Sequence, residues 1–375
     1  MHTTDVVVIG GGITGLGVAR DAAMRGLSVT LLERGGLGSG TSGYFQGILH
    51  SGARYAVIDP QSARECYSEN QILRRIAKDT ILDTGGLFLA FTDEEVTYSY
   101  SLISACKSLG IPTEELSPTE IIKKEPRINK ELKRAFSVPD GHIDGTKTLE
   151  LNKISAEKLG VKIYTNSTVT GFIKKNNQIE AVVLQDNSEI RAKYFINAAG
   201  IWAKDLGKLA GIDIPLVGYK GSMVVFEEQF TRTHLNRCRM PSDGDLLLPT
   251  GKEYILGTTS VRTDDIDTHV VEQWEIDKLL KEAEVMVPGI SKSLIKRSYA
   301  GVRPIYSPSS EDIPARSESR SFKILDHKED GIDNFISVVG GKFILHRLMA
   351  EKAVDILCKD LGVNKQCQTA SIPLS

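Results

Sequence analysis

The run Asp5-Val-Val-Val-Ile-Gly10-Gly-Gly12-Ile-Thr-Gly15 leaves the start of this chain little choice of fold. Val6 to Ile9 is an unbroken apolar stretch that reads as a buried strand, and Leu16 to Gly26 reads as the helix after it. Gly10, Gly12 and Gly15 fall in the turn between them. The first glycine permits the tight turn, the second lets backbone approach a pyrophosphate, and the third lets the helix pack on the strand. The helix N-terminus then offers free N–H groups and the positive end of a dipole to that pyrophosphate. Ser28 to Glu33 reads as a second strand, and Glu33 at its end is placed to accept the hydroxyls of an adenosine ribose. Glycine spacing alone is a weak signal; inside a complete βαβ unit closed by an acidic residue it points to an adenine dinucleotide. The expected contacts here are Gly10, Gly12, Ile13, Thr14, Gly15, Glu33 and the adjoining Arg34.

With 375 residues, 41% of them hydrophobic, the chain is long enough for a sizeable core and for two domains. A net charge of −2 leaves no electrostatic footprint for nucleic acid. No apolar run approaches the roughly 20 residues that span a bilayer, and the N-terminus lacks the basic region of a secretory leader. Cys66, Cys106, Cys238, Cys358 and Cys367 are scattered, with no CxxC pair. Neither a zinc site nor a cysteine-ligated cluster is therefore expected, and no metal. Reduced thiols in a cytoplasmic protein are the expected state.

Directly after Glu33 comes a second glycine- and serine-rich stretch, Gly35 to Gly43. Its place beside the ribose-binding acid suits backbone passing under an extended cofactor, with Gly40, Thr41, Ser42 and the later Gly47 as contacts. A helix is predicted from Pro60 to Lys78, with Ser62, Glu65, Glu69 and Arg74 on polar faces. A strand over Gly85 to Phe91 and a helix over Glu94 to Leu109 follow, and Ser117-Pro118 opens a short helix. After a helix over Gly145 to Leu159 and a strand over Lys162 to Thr165, the spacing predicts a hairpin around Asn176-Asn177, with Val169 on its first arm. Tyr194 to Gly200 is again strand then glycine, bringing Ala198, Ala199, Gly200 and Trp202 near the cofactor. Residues 213 to 325 change to alternating strand patterns plus a mixed-charge helix over Glu272 to Met286. Phe335 to Lys342 is a third strand–glycine turn, ahead of a helix over Phe343 to Leu361. The fold class is α/β, a Rossmann-like cofactor domain discontinuous in sequence with an antiparallel-sheet substrate domain. The expected division is 1–80, 145–212 and 328–375 for the first, and 81–144 and 213–327 for the second.

Rossmann units serve nicotinamide and flavin alike. A nicotinamide enzyme usually places its second βαβ half soon after the first. Here a long insertion intervenes, and glycine turns return at Gly200 and Gly340-Gly341, which favours several loops wrapped round one flavin. Backbone N–H groups of the Gly340-Gly341-Lys342-Phe343 turn suit the negative charge of reduced flavin. Lys342 adds a positive charge for the flavin or for an anionic substrate. Arg303, after Gly301 and before Pro304, presents a planar fork suited to phosphate or carboxylate, unless it is an ordinary surface ion pair. Arg54 and Tyr55 stand close in sequence to His50, which is either a base or a structural imidazole. The acidic clusters Asp243 to Asp245 and Asp264 to Asp267 read as solvated loops.

The chain resembles the FAD-dependent glycerol-3-phosphate dehydrogenases of the D-amino-acid-oxidase-like flavoprotein superfamily, and in particular the catalytic A subunits of the anaerobic bacterial enzymes. The resemblance rests on GGGITG (10–15), ARDAAMRGL (19–27), the long and specific run 49–77, VPDGHIDG (138–145), NAAGIWA (197–203), KGSMVV (220–225), NRCRMPSD (236–243), YAGVRP (299–304) and GGKFILHRLMAE (340–351). It implies oxidation of the C2 alcohol of sn-glycerol 3-phosphate to dihydroxyacetone phosphate, with hydride passing to flavin N5. It implies a phosphorylated polyol surrounded by Arg54, Arg303 and Lys342, the arginines on the phosphate and the lysine near the reacting end, with Tyr55 next to them. It implies electrons leaving for a quinone pool through partner subunits, and a cytoplasmic protein held at the inner face of the membrane only through them. Family members carry histidine where this chain has Gln46. They also continue into a cysteine-rich C-terminal domain that can carry an iron–sulfur cluster, whereas this sequence ends at Ser375, as a short form or a truncation would. Two other readings compete: oxidation of an amino or hydroxy acid on the same fold, with Arg303 on a carboxylate, and a flavin-binding protein without catalysis.

Overall fold

The computed structural model describes residues 2–267, 269–308 and 321–375; Thr268 and the stretch 309–320 of the expected substrate domain lie outside the described residues. The opening strand, His2–Ile9, runs parallel to Val29–Leu32 on one side and to Glu189–Asn197 on the other. Lys162–Tyr164 extends this sheet past Val29–Leu32, and Phe335–Gly340 extends it past Glu189–Asn197, both parallel. The sheet is covered on both faces, as parallel sheets are, and the sequence shows how. Val6 and Val8 point into a core shared with the helices Ile13–Met24 and His346–Leu361. Val7 and Ile9 point the other way, toward Phe195, Ile201 and Leu206. Because every strand in this set is parallel, Ile9, Leu32, Asn197 and Gly340 end at one edge, where such sheets bind ligands.

A second, nine-stranded sheet takes strands from 86–138 and 216–306. Its longest members, Leu216–Phe226 and Ile295–Tyr306, pair antiparallel along their whole length. One junction is parallel, between Gly86–Ala90 and His234–Arg237. Period-two alternation again sorts the faces. Val224 and Phe226 pack under the helix Gln273–Ala283, while Met223, Val225 and Leu246 face Ile48. That second face looks toward the carboxyl edge of the parallel sheet. Ile48–Leu49 belongs to a small three-stranded sheet bridging the two.

Three local expectations are corrected. The helix Pro60–Ile76 is packed on two flanks, so Ser62 and Glu69 are buried instead of lying on a polar face. The Glu69 carboxylate accepts two bonds from Arg347 of the last helix, at 2.6 and 2.8 Å, which is what a charge in that position requires. The last helix starts at His346, after a single turn Phe343–Leu345, because Gly340 and Gly341 both adopt positive φ (73° and 81°) and turn the chain first. Arg303, whose glycine and proline neighbours predict a place after a strand, lies inside the strand Ile295–Tyr306, paired with Tyr219.

Candidate active site

Three glycine turns meet at the strand ends. Gly10 has φ 114°, and a Cβ there would sit 2.5 Å from the Ala198 carbonyl oxygen, so the first turn and the Asn197–Gly200 turn are locked against each other. The Glu33 carboxylate accepts the Gly11 N–H at 2.6 Å and the Gly35 N–H at 2.8 Å. It thus joins the two glycine-rich loops while keeping lone pairs for a ribose. Ser42 Oγ accepts the Ile13 N–H at 3.1 Å, and Thr41 donates to the Val302 carbonyl at 2.6 Å. Asn197 fixes the middle turn: its side-chain nitrogen donates to Ala203 O and Ser337 Oγ, and its oxygen accepts the Ala199 N–H.

These turns line a cavity of about 480 Å³. Every expected cofactor contact lines it except Gly15 and Gly47. Gly15 lies underneath, where a Cβ would meet the Gly10 carbonyl at 1.9 Å; Gly47, with φ 93°, gives way to the His142 ring. His50, Arg54, Tyr55, Arg303 and Lys342 are on the wall as well. Sequence reasoning missed Tyr44 and Phe45, whose ring stacks on Phe343 at 4.2 Å, and the wall given by the second sheet: Gly221, Met223, Leu246 and Thr258. Alternation in 221–226 marked a strand but not which face of it would meet the cavity. The backbone cradle, the carboxylate at the second strand end and the apolar floor fit an extended dinucleotide carrying a flat ring system.

At the far end the wall is cationic. Gly52, at φ 89°, packs so tightly on Ala63 that a Cβ would lie 2.1 Å from its carbonyl oxygen, and this turn sets the Ala53–Tyr55 segment against the helix Pro60–Ile76. The Tyr55 ring lies under the Lys342 ammonium, 4.4 Å from it, and meets the His50 ring edge-on. Lys342 donates to Ser62 Oγ at 3.0 Å. Arg303 arrives from the second sheet, with Nη2 on the Thr259 carbonyl at 2.6 Å and Nη1 on Thr258 Oγ1 at 3.2 Å. Gly221 makes room for it, since a Cβ there would lie 2.6 Å from Nη2. Arg54 is 8% exposed; its Nη2 donates to Asp245 at 2.8 Å, while its buried Nη1 has no partner among the described residues. The Gln46 amide nitrogen is buried and unpartnered too. Asp245 corrects the reading of its cluster as solvated: it is 0% exposed, and Asp243 is 9% exposed. Among the described residues no group of three or more His, Cys, Asp or Glu could hold a metal ion, and no helix is long and apolar enough to cross a membrane.

A family model described as FAD dependent oxidoreductase matches residues 5–342. The anaerobic glycerol-3-phosphate dehydrogenase of Escherichia coli K12 has one subunit that is 41% identical over 381 residues, covering 100% of this chain and 70% of that protein. The glycerol-3-phosphate dehydrogenase of Bacillus halodurans, solved with FAD, superposes with a TM-score of 0.74 at 25% identity over 99% of this chain and 67% of the other. Glycine oxidase from Geobacillus kaustophilus reaches 0.79 at 21% identity over 100% and 99%, a likeness of fold. The residues matched run from the first strand through the last glycine turn, the same segments that close the cavity, and the chain belongs to the FAD dependent oxidoreductase family.

Proposed function

We propose that this chain oxidises the C2 hydroxyl of sn-glycerol 3-phosphate to dihydroxyacetone phosphate with FAD as cofactor. The observation that carries the substrate class is the meeting of Arg54, Arg303 and Lys342 on one cavity wall, with the Arg54 Nη1 buried and without a partner among the described residues. A guanidinium nitrogen with no acceptor costs free energy until an anion arrives, and guanidinium forks suit phosphate oxygens. The E. coli relative, named for this substrate, supports the same class. Gly10, Gly12, Glu33, Ser42 and the Gly340–Gly341 turn would hold the FAD, which when bound supplies the hydride-accepting chemistry at its N5. Arg54 and Arg303 bind the phosphate, Lys342 faces the reacting end, and Tyr55 holds Lys342 in place. Oxidation removes a hydride from C2 and a proton from its hydroxyl. His50, on the same wall, takes the proton; Gln46 cannot, because an amide nitrogen has no basic lone pair.

The division at residues 80, 144, 212 and 327 separates the cofactor-holding part from the part that supplies Arg303. Electrons go on to a quinone or to a partner protein, in keeping with the relative's name as one component of an anaerobic enzyme. The test is an anaerobic absorbance spectrum of the FAD-loaded protein before and after sn-glycerol 3-phosphate. The flavin bands are expected to bleach. Bands that persist with this substrate and bleach with glycine or another amino acid overturn the substrate class.

A further inference from the structure

Arg54 does not stand alone. Asp245 Oδ2 accepts both the Arg54 Nη2–H at 2.8 Å and the Ser242 N–H at 2.5 Å. Asp245 Oδ1 accepts from Arg239 at 2.7 Å, and Arg239 in turn donates to Glu282, at 2.7 Å, on the helix Gln273–Ala283. Glu282 also takes Arg237 at 3.0 Å, which reaches Glu95 at 2.6 Å. The chain of alternating charges therefore runs from the cavity wall through the partly exposed Glu282 to the buried Glu95. Both oxygens of Asp245 are occupied, and the residue has no exposed surface.

We infer that Asp245 is a positioning residue for the anion site, acting through Arg54; the inference rests on the phosphate reading proposed above. A guanidinium is planar, so fixing Nη2 on a carboxylate that cannot itself move fixes the direction of Nη1. Nη1 is the nitrogen left without a partner among the described residues, and the arginine that carries it lines the cavity. Asp245 also lowers the net charge of Arg54, so its loss would strengthen Coulomb attraction to an anion while releasing the geometry. Orientation wins in a buried site, because an unpinned arginine regains rotamer freedom and an orphaned buried charge turns toward any acceptor. Arg239 and Glu282 brace Asp245 from the other side, tying the direction of Arg54 to the helix that covers the second sheet.

The experiment measures inorganic phosphate binding to the FAD-loaded protein by calorimetry, for the wild type, Arg54→Ala, Asp245→Asn and the double variant. Asp245→Asn is expected to weaken phosphate about tenfold and the double variant no more than Arg54→Ala alone, the non-additivity of residues acting as a unit. With glycerol 3-phosphate the same variant is expected to raise KM and leave kcat within about twofold, as lost ground-state binding does. Additive losses, or unchanged phosphate affinity in Asp245→Asn, overturn the positioning role. If Asp245→Asn does not accumulate as folded holoprotein, Arg239→Gln replaces it: loss of this brace on Asp245 is then expected to weaken phosphate about threefold, and no change overturns the inference. Phosphate binding that obeys the cycle in a protein that glycerol 3-phosphate does not reduce would reject the substrate and keep Asp245.

Discussion

The two sides of the cavity are made of different material. The side formed by the parallel sheet is mostly backbone, glycine turns and N–H groups, with the Glu33 carboxylate holding two loops together and Arg34, Trp202 and Lys342 adding side chains. The side formed by the second sheet is side chains, with Arg303 braced on Thr258 and the Thr259 carbonyl, and Asp245 reaching across to Arg54. Backbone cannot change with sequence, so the first side suits a ligand common to many enzymes. Side chains can, so the second side is the one free to differ between enzymes that share a cofactor. If this contrast holds, damage to the first side should remove the cofactor, and damage to the second should remove turnover with the cofactor in place.

The largest expected effect is on the backbone side. Gly10→Ala puts a Cβ 2.5 Å from the Ala198 carbonyl and forces a non-glycine residue to φ 114°. Strain and overlap together cost about 4 kcal/mol, enough to lose FAD on purification. The ratio of flavin to protein absorbance checks it, and full FAD occupancy in this variant would break the comparison at its base. Next comes Arg303→Ala, which removes a half-buried charge from the cationic wall without touching a glycine turn. A loss of about 3 kcal/mol in kcat/KM for glycerol 3-phosphate is expected, with the FAD ratio unchanged. A variant that loses flavin and turnover together would show that the second side holds cofactor as well.

The same contrast explains what the sequence made legible. Gly10, Gly12, Gly340 and Gly341 could be placed because a turn that needs glycine is local: the residue, the strand before it and the helix after it are neighbours in the chain. The Arg54–Asp245 pair spans 191 positions, and nothing near Asp245 marks it as buried; an acidic residue between glycine and leucine looks like any loop. Glu69 was misplaced for the same reason, since its partner Arg347 lies 278 positions away. Arg303 was picked out by its glycine and proline neighbours, yet its setting in mid-strand depends on Gly221, across the sheet, having no side chain. Buried polar pairs between distant segments leave no periodic trace, and the cationic wall of the cavity is braced by them.

A third test uses pH. Each region holds a buried imidazole. Burial pushes His346 down to about 4 beside the backbone side, and pushes His234 down to about 3 in the second sheet, where the neighbouring His142 acts in the same direction against a smaller pull from the Pro249 carbonyl. Above the ordinary histidine value of 6.5 both rings are neutral folded or unfolded, and neither contributes. As pH falls below 6.5 the unfolded chain takes up protons that the folded chain refuses, so stability declines until the folded values are reached. At pH 5 the loss is about 2 kcal/mol for each ring, from 1.36 kcal/mol per unit. His234 makes no hydrogen bond through either ring nitrogen among the described residues, so His234→Leu should cost little at pH 8 and recover that share at pH 5. Urea midpoints at the two pH values check it. Equal midpoint shifts at both would mean that His234 is protonated in the fold.

The smallest effect is expected where the regions touch at the cavity rim. Arg34 lies over the Trp202 ring at 4.0 Å, and Asp267 accepts from both, at 3.3 Å from Arg34 and 3.0 Å from Trp202 Nε1. Arg34 and Trp202 line the cavity from the backbone side, and Asp267 reaches them from beyond the strand Val261–Thr263 of the second sheet. Asp267 is 70% exposed in its side chain, so water and salt screen the contact, and such pairs contribute about 0–1 kcal/mol. Asp267→Ala should therefore speed FAD release by no more than about fivefold, an effect that fades as salt is raised. Its size decides how separate the two sides are. A release rate that climbs by orders of magnitude would mean that the cofactor is held by a side chain of the substrate region, and that the backbone cradle alone does not keep it.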